Sequence, residues 1–247
     1  MVQYKNKEQD QKDYISPEEF SKKWKKFISS DDAEKKIYEN FRMQAMDALT
    51  KTFGWKPREL PEGKLDIRGP IRTRIMEAFW NQGNYFAPTR TITIGNYDYP
   101  YFMMCLAHEF VHEISHLNDR TWHPWERKHV DFANEIKYNK ALPNWLIEGT
   151  VSLATRELVK TMTEQTHFVF NEFQRYPAEI RVAEFLMDTV GEGVFWQCFF
   201  NNRNFSILAK EFCKKKVCTE EKLRNVLDDD DPVKVLVRLK MLKDRVK

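Results

Sequence analysis

The stretch that most constrains this chain is Tyr101 to Leu117, YFMMCLAHEFVHEISHL. It is apolar almost throughout before His108 (Phe102, Met103, Met104, Leu106, Ala107) and continues with Phe110, Val111, Ile114 and Leu117. A helix that is apolar on every side is a buried one. Two histidines and a glutamate in the middle of such a helix must be satisfied, and a bound metal is the commonest way to do it. His108 and His112 are four residues apart, so a helix stacks them one turn above each other on one face, where both can reach a single ion. Glu109 stands beside them. The competing reading is a pair of ordinary core histidines held by hydrogen bonds.

The spacing H-E-x-x-H is that of zinc hydrolases, and the chemistry explains the residue types. Neutral imidazoles bind zinc without cancelling its charge, and a carboxylate that is not a ligand can take a proton from water. One Zn2+ per chain is therefore expected, with His108 and His112 as ligands and Glu109 as the base. A catalytic zinc needs a third protein ligand and an open position. The continuation H-E-x-x-H-x-x-G-x-x-H fails here, because position 115 is serine and position 118 is asparagine. His116 lies on the same helical stripe, but it would stand about 12 Å from His108 along the axis at about 1.5 Å per residue. That is too far to share one ion, so His116 reads as a supporting or structural residue. Glu148, followed by Gly149, interrupts the apolar run Trp145, Leu146, Ile147, Val151, Leu153, Ala154. A carboxylate there is costly unless it is paired or bound to metal.

Composition narrows the class. A chain of 247 residues is long enough for one domain with a real core, and 42% hydrophobic with 14% aromatic residues favours burial over disorder. Only eight glycines accompany a pattern that is helical over most of its length. Forty basic residues against 37 acidic ones leave a net charge of +3, with the two signs interspersed. Neither a nucleic acid nor an anionic membrane is called for as a partner. The four cysteines, Cys105, Cys198, Cys213 and Cys218, contain no C-x-x-C pair and no small-protein disulfide framework. The opening MVQYKNKEQDQKDY has no apolar signal core, and no run of about 18 apolar residues exists to span a membrane. A cytoplasmic location is the expectation.

In chain order, residues 1–14 read as a mobile polar tail and residues 15–247 as a single domain with helical flanks. Ser16-Pro17-Glu18-Glu19 carries the signals of a helix start. A second helix is expected from about Asp31 to Gly54, a short strand over Lys64 to Arg68, and a helix over 71–80. Arg90-Thr91-Ile92-Thr93-Ile94 alternates strictly and closes on Gly95-Asn96. This strand directly precedes the metal helix, so its edge is expected to line the cleft and pair with an extended peptide through Thr91, Thr93, Gly95 and Asn96. His123 and His129 read as ordinary loop or surface residues. Further helices are expected after Leu142-Pro143-Asn144, from Pro177 to Gly191, over 192–200 and 205–216, from Thr219, and over 233–242. The acidic run Asp228 to Asp231 favours a helix N-terminus and lacks the glycine and spacing of a calcium loop.

HEFVH followed some distance on by Leu142-Pro143-Asn144-Trp145-Leu146-Ile147-Glu148-Gly149 resembles the gluzincin metallopeptidases, specifically the peptidase-MA-like families with an L-P-x-W-L-x-E-G-x-A signature. Val151 departs mildly from the small residue of that pattern. The resemblance spans about residues 85 to 200. It implies a zincin-like α+β fold, predominantly α-helical, with a small sheet before the active-site helix. It also implies zinc held by His108, His112 and Glu148, and Glu109 as general base and later proton carrier. The implied reaction is hydrolysis of a peptide bond in a protein or peptide substrate by zinc-activated water. No G-x-M-E-N-type aminopeptidase signature precedes the helix, which leans the expectation towards an endopeptidase. Zinc hydrolases usually add a second electrophile for the developing oxyanion. Tyr176 is the candidate, because it stands before the helix that in these families returns to the cleft; Arg181 is a weaker one. Two other readings stay open: a zincin scaffold that binds a partner without proteolysis, and a zinc hydrolase acting on a non-peptide amide.

Overall fold

A computed structural model describes residues 22–24, 26, 33–54, 63–69, 83–86, 89–116, 143–165, 176–200 and 205–244. The expectations for the tail 1–14, the helix start at Ser16, the helix 71–80, His123, His129 and the side chain of His116 fall outside those residues.

Helices dominate. They are α1 (Ala33–Phe53), α2 (Tyr99–His116), α3 (Asn144–Gln165), α4 (Pro177–Val190), α5 (Glu192–Phe200), α6 (Phe205–Lys215), α7 (Glu220–Leu227) and α8 (Pro232–Lys240). Strands β1 (Lys64–Arg68), β2 (Gly83–Phe86) and β3 (Thr91–Gly95) form one small sheet ahead of α2. The molecule is thus α+β and predominantly α. The helix ends follow local chemistry. Gly54 closes α1 at φ +62°, with its N–H donating to the Thr50 carbonyl at 3.0 Å. Thr219 caps α7 by accepting from the Lys222 N–H, and Asp231 caps α8 by accepting from Val233 and Lys234, with Pro232 at the first helical position.

The sheet corrects one expectation. Its order is β1-β3-β2, with β3 parallel to β1 and antiparallel to β2. The strand Thr91–Gly95 is therefore the middle strand, its backbone groups already paired on both sides, and it offers no edge to a peptide. Alternation identified a strand with one buried face, here Ile92 and Ile94. It carries no information on whether neighbours pair with both edges.

The buried residues form one continuous cluster from Trp24 to Leu242, with α2 running through it. Phe41 of α1 meets Phe110 of α2 edge to face, with ring centroids 5.5 Å apart. The Trp24 indole donates to the Tyr97 carbonyl at 3.2 Å and packs edge-on against Tyr99 and Phe102 at the start of α2. Thr52 and Thr161 join α1 to α3 at 2.7 Å. Within α3 the buried Thr150 and Thr155 return their hydroxyls to the carbonyls one turn back, both at 2.8 Å, so that these two polar residues are satisfied inside the core.

One buried carboxyl fixes the roll of α2. Glu113, fully enclosed and next to His112, accepts a hydrogen bond from the Tyr38 hydroxyl of α1 at 2.6 Å. Burial pushes the Glu113 carboxyl up to about 7, against the opposing pull of the Tyr38 bond and of Arg42 and Arg90. A rotation of α2 would break that bond and strand a buried polar group, so the histidine face is held in place. Among the described residues, no helix is long and apolar enough to cross a membrane.

Candidate metal centre

Two helices build the site. α2 presents His108 and His112 one turn apart, with ring centroids 4.9 Å apart and planes at 79°. The second turn of α3 brings Glu148 opposite them. His108 Nε2 lies 3.4 Å from Glu148 Oε2, and His112 Nε2 lies 3.4 Å from Glu148 Oε1. Ligand atoms about 2.0–2.1 Å from a single tetrahedral ion stand about 3.3 Å from one another. Each imidazole nitrogen stands near that spacing from its own carboxylate oxygen. One donor atom from each of His108, His112 and Glu148 falls within 4.8 Å of the others, so this group could hold a metal ion. Cys105, one turn before His108, is buried and stands outside the group.

Electrostatics agree with the geometry. Burial alone would raise the Glu148 carboxyl, but the contacts from His108 and His112 outweigh it and hold the group well below the usual carboxylate range. A carboxylate that stays ionised inside an apolar helix face is a suitable donor for a cation. His108 and Glu109 are both buried, at 8% and 7% exposure, while His112 and Glu148 are half-buried and give the site its open side.

The glycine after Glu148 sets the next contact. A Cβ on Gly149 would stand 2.6 Å from the backbone carbon of Glu179, so α4 crosses α3 at its closest just there. This crossing brings Tyr176, which precedes α4, to the metal centre. Its ring lies nearly parallel to that of His108, at 15° and 6.5 Å between centroids. Tyr176 has φ 58° and ψ 44°, the left-handed conformation. Pro177 disfavours the right-handed helical region for the residue before it, and the Tyr176 carbonyl still accepts the first α4 bond from the Ile180 N–H at 2.9 Å. Arg181, further along α4, is exposed.

The other wall is β2. A Cβ on Gly83 would stand 2.8 Å from both Cγ and Oε1 of Glu109, so this backbone lies directly against the carboxylate beside the histidines. Gly83→Ala is expected to displace Glu109 while leaving the two histidines and Glu148 in place. A displacement on the order of 1 Å can cost about 10²-fold in rate. The check is kcat alongside metal content; unchanged kcat would mean that Glu109 yields to the methyl group without consequence.

The structure thus brings together His108, Glu109, His112, Glu148 and Tyr176. It places Thr91 and Thr93 half-buried in the middle strand, with Gly95 closing that strand and Asn96 just after it. Sequence reasoning missed β2 and the two glycines that shape the site. Gly83 carried no signal of its own, whereas Gly149 did, since a glycine inside a helical apolar run marks a close approach. No family model, no curated protein and no solved structure matches the chain.

Proposed function

We propose that this chain is a zinc metallopeptidase of the gluzincin type, in which His108, His112 and Glu148 hold one Zn2+. The observation that carries this reading is the convergence of His108, His112 and Glu148, with each imidazole 3.4 Å from one oxygen of the same carboxylate and one donor atom from each residue within 4.8 Å of the others. The small sheet beside the helix that carries both histidines, and the second helix that carries the glutamate, support a zincin-like fold. Zinc held there supplies the Lewis acidity that makes water a nucleophile near neutral pH and polarises the bond to be cut.

The chain's own residues do the rest. Glu109, confined by the β2 backbone, accepts the proton of the attacking water and later passes it to the leaving amine. Its presence argues against a scaffold kept only for binding, which needs no base. Among the described residues β2 is the edge of the sheet that lies against Glu109, so an extended peptide adds there, where backbone groups of Gly83–Phe86 supply affinity and alternate side chains supply selectivity. Tyr176 donates its hydroxyl to the oxygen that becomes negative in the transition state. Its left-handed backbone supports this role, because a non-glycine residue there costs about 1–2 kcal/mol, and such strain gathers at functional sites.

Elemental analysis of protein purified without added metal, followed by a peptide-library cleavage assay, tests the proposal. One zinc per chain and cleavage that a chelator abolishes are expected. A protein that cannot be loaded with zinc overturns the metal assignment. A loaded protein that cleaves no peptide overturns the peptidase reading, and turnover of non-peptide amides would then identify the substrate class. Within the proposal, Tyr176→Phe should lower kcat about 10²-fold or more, with zinc content and thermal midpoint little changed. Unchanged kcat would return Tyr176 to a packing role and direct attention to Arg181.

A further inference from the structure

Far along the chain from the metal centre, α6 gives way to α7 around a pair of thiols. Cys213 lies in the last turn of α6, and Cys218 immediately precedes the Thr219 cap of α7. Their sulfurs are 3.0 Å apart, and neither is in a disulfide. The chain between them is held in a defined reversal. The Lys216 N–H donates to the Phe212 carbonyl and the Cys218 N–H to the Lys216 carbonyl, both at 2.9 Å, and the Val217 N–H donates to the Lys243 carbonyl at 2.8 Å. Lys216 also pairs with Asp244 at 2.5 Å. The backbone that carries the two converging sulfurs is therefore fixed by hydrogen bonds. Disulfide formation requires such convergence, since cysteines whose side chains point apart cannot be joined without moving the backbone.

The other two cysteines are placed for inertness. Cys105 and Cys198 are buried, and burial pushes the Cys198 thiol up to about 12; Cys218 is buried as well, but its sulfur meets that of the half-buried Cys213. Beside Cys213, Lys214 is paired with Glu211, and Lys215 is an exposed cation that attracts an anionic reagent. Among the described residues no third His, Cys, Asp or Glu joins the two thiols at metal-ligand spacing, which favours redox pairing over metal binding.

We propose that Cys213 and Cys218 form a reversible dithiol–disulfide couple whose oxidant is a low-molecular-weight anionic disulfide. The Cys213 thiolate attacks one sulfur of the oxidant, forming a mixed disulfide and expelling one small thiolate. The Cys218 thiolate then attacks the Cys213 sulfur, which forms the internal bond and expels the second small thiolate. Two protein thiols are oxidised to one disulfide, the oxidant is reduced to two thiols, and the two protons end on the released thiolates. The bridge joins the end of α6 to the start of α7 across the turn whose Val217 and Lys216 meet Lys243 and Asp244.

Glutathione disulfide, the full-length chain and trypsin suffice for the test. Trypsin cuts after Lys214, Lys215 and Lys216, so the two cysteines leave on separate peptides unless they are bridged. After oxidation and alkylation, the linked peptide pair is expected to replace both alkylated peptides in nearly all of the chain. Cys105 and Cys198 should be alkylated only once the protein is unfolded, and dithiothreitol should restore the separate peptides. In Cys218→Ser the Cys213–glutathione adduct, which the natural chain resolves, is expected to accumulate. Stable adducts on Cys213 and Cys218 without linkage, linkage to another cysteine, or no adduct in Cys218→Ser would overturn the proposal. The readout is the covalent state of the sulfurs and does not depend on peptidase activity.

Discussion

Glu109→Gln is expected to keep its metal and lose peptide hydrolysis, with kcat falling by about 10²- to 10⁴-fold. The two side chains have nearly the same shape, so the amide fits the slot between the β2 backbone at Gly83 and the histidine face of α2. What changes is proton affinity. A carboxylate can take a proton from water and hand it on, and a carboxamide cannot. Glu109 lies outside the group of side chains that converge on a possible ion, so its replacement should leave the metal content of the purified protein unchanged. Measured together, kcat and zinc content separate three roles. Loss of rate with retained zinc marks a base, loss of both marks a ligand or a structural residue, and retained rate places the base elsewhere. Gly83→Ala perturbs the same carboxylate through its position rather than its chemistry, so it should cost less than Glu109→Gln.

The parts of this molecule that could be read beforehand are those encoded by local periodicity and by residue chemistry at fixed spacing. Two histidines one turn apart on an all-apolar helix, and a glutamate inside an apolar run, identify groups that must be satisfied from within, and those groups meet at 3.4 Å. Helix ends with chemical markers, such as Gly54, Thr219 and Asp231, fall where they were expected. Long-range pairing was not legible. The four residues of β2 are too few to alternate convincingly, yet they turn β3 into a middle strand and carry the glycine that touches Glu109. Glu113 was equally silent. It looks like any polar residue at the end of a helix, and only the approach of Tyr38 from α1 reveals it as a buried anchor one residue past His112. The proximity of Cys213 and Cys218 is of the same kind, since it depends on how α6 turns into α7.

Glu148→Ala should weaken zinc binding by more than the roughly 10- to 100-fold that follows loss of an outer-shell partner. Both oxygens of this carboxylate face imidazole nitrogens, one each, so truncation removes the whole third side of the donor set and no neighbouring group replaces it within the described residues. The charge goes as well. As a carboxylate, Glu148 supplies the negative charge that two neutral imidazole ligands lack. Gly149 and its contact with Glu179 are untouched, so α3 and α4 should stay packed and the effect should appear in metal affinity rather than in folding. His116→Ala is the matched control, because a residue about 12 Å along the helix from His108 cannot share its ion. Competition against a zinc chelator of known affinity measures both variants. If Glu148→Ala binds zinc like the natural chain while His116→Ala does not, the third ligand stands at the C-terminal end of α2. Glu148 would then be a buried carboxylate paired with two histidines for stability alone, and the gluzincin reading would fall with it.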